Sequence, residues 1–146
     1  MDELIQAMKK ALANSFAFYL KTANYHWNVE GPNFPQYHSF LGDMYGEVYD
    51  SIDSFAENIR KLGAYTPGSF TRFSELSDIQ DELKIPTADV MMARLLEDNA
   101  RVIDSIEIAY ELAEREHQHG LSNFLAERQD AHKKHGWMLT SILKNK

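Results

Sequence analysis

The sequence predicts an all-α protein, a four-helix bundle with a short extra helix in the long connection between helices two and three, and three observations carry that prediction. Of 146 residues, 44% are apolar, while glycine and proline together supply only 7 and 4. The prolines fall at three places, Pro32 with Pro35, Pro67 and Pro86, leaving long stretches free of strong breakers. Within those stretches apolar residues recur in steps of three and four, and no segment alternates as a strand does.

Residues 3 to 29 place Ile5, Met8, Leu12, Phe16, Tyr19, Ala23 and His26 on one helical face, closed by Gly31-Pro32. A second helix, from Pro35 to Leu62, carries Tyr37, Leu41, Met44, Val48, Ile52, Phe55, Ile59 and Leu62 at the same period, with Gly63 as its C-terminal cap. Residues 69 to 85 are shorter and more polar, and predict a small helix around Ser74 to Asp81. Thr87 is placed as an N-cap with Asp89 in the first turn, and Met92, Leu95, Asn99, Val102, Ile106, Ala109 and Ala113 form a stripe running to a stop at Gly120. The last helix, 121 to 143, shows Phe124, Leu125, Ala131, Met138, Leu139 and Ile142, and the Trp137-Met138-Leu139 run is expected in the core.

Four helices of this length, roughly 35 to 50 Å each, with two short turns and one long connection, describe a four-helix bundle. A single crossover between the second and third helices makes these two parallel, the ferritin-like topology. No internal repeat or second domain is visible, so residues 1 to 146 are expected to form one unit.

The chain has no cysteine and a formal net charge of −7. That excludes a disulfide framework, a thiolate cage and a thiol nucleophile, and leaves His, Asp and Glu as the only strong metal ligands. The longest uncharged runs, 11 to 20 and 31 to 42, are too short to span a bilayer, and Asp2 and Glu3 stand where a signal peptide is basic. The expectation is a cytoplasmic chain without membrane partners. Its acidity argues against a chain that wraps nucleic acid and fits one that attracts cations.

The informative cluster is His26-Trp27, His38, Asp53 and Glu57. His26 ends the apolar stripe of the first helix, which fits either a satisfied core histidine or a ligand. Asp53 and Glu57, i and i+4 on the second helix, repel each other unless a cation or base lies between them; a solvated face is the alternative. His38 and Asp53 are 15 residues apart on one helix. They therefore lie about 22 Å apart and cannot share an ion within one chain. If two copies of the second helix pack antiparallel about a two-fold axis, His38 of one meets Asp53 and Glu57 of the other. His26 joins across the short turn, giving two nitrogens and two carboxylates, a set that suits Fe(II), Zn(II) or Mn(II). Ligand spacing thus predicts a dimer.

The other histidines carry less. Glu114-x-x-His117 and Glu116-x-x-His119 match half of an intrasubunit di-metal bundle pattern, which needs a second copy on another helix. Histidines at a helix C-terminus are otherwise favoured by the dipole. His132 and His135 are read as packing and surface residues. No GxSxG, P-loop, GxGxxG or HExxH is present.

The residues themselves resemble a family. His26-Trp27, Gly31-Pro32-x-Phe34, Tyr37-His38, Asp53-x-x-Ala56-Glu57 and Leu62-Gly63, with Leu96-Glu97-Asp98-Asn99 and Lys134-His135-Gly136-Trp137-Met138-Leu139 later, are similar to the Dps mini-ferritins, the DNA-binding proteins from starved cells. The resemblance implies a hollow homo-dodecamer with ferroxidase centres at two-fold interfaces. There Fe(II) is oxidised, by hydrogen peroxide in preference to oxygen, and stored inside as ferric mineral. It makes His26 and His38 of one subunit and Asp53 and Glu57 of its neighbour the iron ligands, with Trp27 a redox-active aromatic beside them and zinc a substitute metal.

The chain departs from the family pattern at several positions. Asn58 replaces a common Arg after the ligand Glu, and Gly42, with Asp43 next to it, stands where some members carry an additional acid. No Lys-rich N-terminal extension is present, the C-terminus adds only Lys144 and Lys146, and 117 to 123 reads His-Gln-His-Gly-Leu-Ser-Asn where a pore acid is often found. DNA binding is therefore not expected, and a DNA-condensing cage with a zinc-filled or vestigial site is the alternative reading. Twelve such subunits would carry about −84 before counter-ions, enough to concentrate Fe(II) near a shell.

Overall fold

In the computed structural model, which describes residues 1–145, the chain folds into five helices: α1 (Asp2–Asn28), α2 (Phe34–Lys61), α3 (Phe70–Leu76), α4 (Ala88–Arg115) and α5 (His119–Ile142). The four long helices form the expected bundle. α1 packs against α2 and α4, and α4 against α5, while α2 and α5 touch along a thinner seam. Met8, Leu12, Phe18, Leu41, Val48, Phe55, Leu95, Val102, Ile106, Leu125 and Leu139 are fully buried at the centre.

The helix ends follow from local chemistry. α2 ends where Gly63 takes φ +93°, letting the N–H groups of Gly63 and Ala64 bond back to Arg60 and Ile59. Thr87 caps α4 as expected, its hydroxyl accepting from the Val90 N–H. Substituting such a cap typically costs about 1 kcal/mol.

Three expectations need correction. The stop of α4 is not Gly120: the helix ends at Arg115, His117 adopts φ +58°, and the N–H groups of His117 and Gln118 bond to Glu114 and Ala113. A histidine thus occupies the left-handed position usually given to glycine, and Gly120 lies inside α5. The short helix lies earlier than Ser74–Asp81, because the Ser69 side chain accepts from the Arg72 N–H and starts it at Phe70. After Leu76 the chain runs without helix along α1. The side-chain oxygen of Asn14 accepts from Asp78 N–H (2.8 Å) and Ser77 Oγ (3.0 Å), and Lys21 Nζ donates to Gln80 O (2.8 Å).

The third correction concerns α5. Its buried face runs Leu121, Leu125, Arg128, His132, His135 and Leu139, so Trp137, expected in the core, is 65% exposed. His132 and His135 are both buried, the second no surface residue. Glu47 of α2 binds Arg128 through two nitrogens (2.5 and 3.0 Å) and accepts from His135 Nε2 (2.8 Å). Asn99 bonds His132 at both its ring Nδ1 and its carbonyl (2.8 Å each). Burial opposes ionisation of Glu47, but the His135 and Arg128 hydrogen bonds outweigh it and hold its carboxyl well below the usual range. Burial, reinforced by the nearby Arg128 cation and His135, keeps His132 neutral far below the ordinary histidine pKa. This polar clasp fastens the thin α2–α5 seam.

Candidate metal centre

The turn between α1 and α2 brings His26 and His38 together. Gly31, at φ +118°, reverses the chain, and Pro35 lies in the first turn of α2, where a missing N–H is harmless. The two imidazoles stack with centroids 3.9 Å apart and planes 14° from parallel. His26 Nδ1 bonds the carbonyl of His38 (2.6 Å), and His38 Nδ1 bonds the carbonyl of His26 (2.8 Å). A carbonyl oxygen only accepts, so both Nδ1 atoms carry the hydrogen, the tautomer that in a neutral ring leaves Nε2 as the metal-binding nitrogen. Backbone carbonyls commonly orient metal-ligating histidines in this way.

Gly42 makes the stacking possible. A β-carbon there would lie 2.9 Å from His26 Cε1 and 3.1 Å from its Nδ1. The absence of an acid at this position is thus coupled to the seat of a histidine. Phe34 covers the outer side of His38, with centroids 5.1 Å apart, and Trp27, at the end of α1, is 62% exposed.

Asp53 and Glu57 lie farther along α2, one turn apart, while Phe55 and Ile59 on the same helix turn into the core. Both carboxylates are exposed, and neither has a hydrogen-bond or ion-pair partner among the described residues. Among these residues no three His, Asp or Glu side chains converge as a metal cluster within the chain. The histidine pair and the carboxylate pair therefore stand apart within the chain, at separate places along α2. The donor set suits a divalent transition metal: two imidazole Nε2 atoms and two carboxylates without a counter-ion among the described residues. Glu114 and His117 do not share a helical face, since the chain reverses at residues 116 to 118.

Sequence reading missed Glu47 and Arg128. Their signal was Arg128, His132 and His135 at steps of four and three, in phase with Leu121, Leu125 and Leu139.

A Ferritin family model, for the ferritin-like domain, matches residues 5–146. Among curated proteins the chain is 31% identical over 142 residues to a low-temperature-induced protein of Nostoc, covering 96% of this chain and 79% of that one. It is 27% identical over 141 residues to DNA protection during starvation protein 2 of Bacillus anthracis, covering 97% of each. Among solved structures, Dps from Staphylococcus aureus superposes with a TM-score of 0.94 at 27% identity, over 100% of this chain and 98% of that one. Dps from Vibrio cholerae, described as a member of a broad superfamily of ferritin-like diiron-carboxylate proteins, gives 0.93 at 27% identity over 98% and 90%.

Proposed function

The chain belongs to the Dps family of ferritin-like proteins, and from that membership and its two half-sites we propose a ferroxidase and iron store that works as a homo-oligomeric cage, a dodecamer with its metal centres at two-fold interfaces. The observation that carries this reading is the reciprocal His26–His38 lock, which leaves two nitrogen lone pairs at one end of α2 while two unpartnered carboxylates stand at the other. Antiparallel pairing of two α2 helices unites them twice per dimer.

Several features support a second copy as the occupant of this face. Leu20 and Trp27 of α1, Phe70 of α3 and Leu83 of the crossover are exposed large apolar residues, 81% for Phe70 and 89% for Leu83. They line adjoining grooves along α1 and the crossover. A patch of this kind marks an interface in a water-soluble protein. Trp27 lies next to His26 in sequence and would be covered with the site.

At the assembled centre, the neutral imidazoles of His26 and His38 donate lone pairs to Fe(II), while Asp53 and Glu57 of the neighbour supply two negative charges. The carboxylates stabilise the ferric product more than the ferrous substrate, because attraction grows with the ion's charge. Two Fe(II) ions give hydrogen peroxide two electrons; with two protons it becomes two waters, and no hydroxyl radical is released. The likeness to the Dps proteins makes hydrogen peroxide, in preference to oxygen, the proposed oxidant, and removing both reagents would protect against oxidative stress. Zinc fits the same ligands without redox chemistry. The Bacillus anthracis relative is named for DNA protection, yet with a net charge of −7 this chain is not expected to retard DNA. The test is the initial rate of Fe(II) oxidation with peroxide: His38→Ala or Asp53→Ala, with assembly intact, lowers it at least tenfold. An unchanged rate refutes the reading.

A further inference from the structure

Three tyrosines form a connected array beside the histidine pair that iron binding does not use. Ring centroids lie 5.2 Å apart for His26 and Tyr45, 6.0 Å for Tyr45 and Tyr19, and 5.0 Å for Tyr19 and Tyr49. Tyr45 and Tyr49 are one turn apart on α2, and the same four-residue step continues to Asp53 and Glu57. Tyr19 of α1 makes the ring contact to both. Tyr25 is the contrast, a buried phenol donating to Glu82 Oε1 at 2.7 Å. Tyr49, at 54% exposure, ends the array at the surface.

The antiparallel pairing that brings His38 to the neighbour's Asp53 and Glu57 crosses the two α2 helices midway between those positions, near Gly46. Tyr45 of one copy then stands level with the partner's Tyr49. Gly46 supports a crossing there. Nothing lies within 4 Å of where its β-carbon would be, so no neighbour in its own chain calls for glycine, and glycine inside a helix is otherwise unfavourable. Close approach of a second helix supplies the reason.

We propose that Tyr45, Tyr19 and Tyr49 form a redox relay joining the two iron sites of a dimer, an inference that rests on the iron-site reading above. Peroxide at one site takes one electron from the Fe(II) bound there and a second, through the relay, from the Fe(II) of the other site. The O–O bond breaks, two protons from water complete two water molecules, and both ions become Fe(III). Each phenol gives its proton to surrounding water as it loses an electron and regains a proton when the next electron arrives, so the relay is unchanged after a cycle. A site holding a single Fe(II) can then complete two-electron reduction without releasing hydroxyl radical.

The test loads the assembled protein anaerobically with one Fe(II) per subunit and adds limiting hydrogen peroxide. Freeze-quenched electron paramagnetic resonance reads tyrosyl radical, and a spin trap reads hydroxyl radical. In the parent protein a transient tyrosyl signal and little trapped hydroxyl are expected. Tyr45→Phe and Tyr49→Phe, singly and together, should lower the tyrosyl signal at least tenfold and raise trapped hydroxyl by a similar factor. Co(II) affinity and assembly should be unchanged, which separates loss of the relay from damage to the site. Normal Fe(II) oxidation with unchanged radical and trap yields in the double variant overturns the relay alone. Failure of the parent protein to oxidise Fe(II) overturns the iron-site reading and the relay with it.

Discussion

The imidazole of His26 occupies the space a side chain on Gly42 would need, its Cε1 2.9 Å from the β-carbon position. Gly42→Ala therefore forces the ring to turn and breaks its bond to the His38 carbonyl. The expected result is Co(II) binding weakened about tenfold, the usual effect of losing a partner that orients a ligand. Thermal stability should change little, since alanine inside a helix gains about 0.5–1 kcal/mol over glycine and offsets the displaced ring. Calorimetric titration with thermal unfolding measures both.

The Glu47 clasp predicts a difference between two arginines. Arg128 is buried against Glu47 and His132, whereas Arg72 forms an exposed i,i+3 pair with Glu75. Arg128→Leu should lower the stability of the chain by about 1–3 kcal/mol, since it removes charged hydrogen bonds and leaves Glu47 half-buried. Arg72→Leu should cost well under 1 kcal/mol. Urea unfolding at one fixed protein concentration compares them, and equal midpoints would remove the clasp from the account.

Acid should weaken the fold in two steps. His132 is held neutral in the folded chain but takes a proton near its ordinary value of 6.5 when unfolded, so stability falls as pH drops below that value. One such group contributes at most about 1.4 kcal/mol per pH unit. Glu47 stays ionised in the folded chain to below the usual carboxylate range, while in the unfolded chain it protonates near 4.5, so a second loss begins there. His132→Gln should flatten the first step and spare the second in unfolding midpoints measured across pH.

Leu83→Asp and Phe70→Asp place charge on residues 89% and 81% exposed in the single chain, so the folded subunit should keep its helix content. If a second copy covers this face, sedimentation should show loss of the large assembly in favour of single subunits. A subunit that assembles as before would move the interface elsewhere.

Much of this was legible in the sequence. The four long helices follow from apolar period, and the separation of His38 from Asp53 within one chain follows from the 15 helical residues between them. What was not legible has a common cause: burial follows helical phase, not letter class. Following apolar letters on α5 selects Phe124, Ala131 and Met138 and draws Trp137 inward, whereas the face that turns in carries Arg128, His132 and His135, made tolerable by Glu47 and Asn99. Those partners lie on other helices, at a range no local pattern reaches. The α4 stop was misplaced for the opposite reason, since His117 accepts a left-handed backbone that glycine would make obvious.

The most direct test of the central claim, that each centre is shared between two chains, mixes two inactive proteins. His38→Ala subunits keep their carboxylates and Asp53→Ala subunits keep their histidines, so each mixed pair contains one complete site and one that lacks both His38 and Asp53. Dissociating the two variants, mixing them in equal amounts and reassembling them should restore Fe(II) oxidation to about a quarter of the parent rate if pairing is random. A mixture no more active than either variant alone would show that the ligands act within one chain, and would contradict the account.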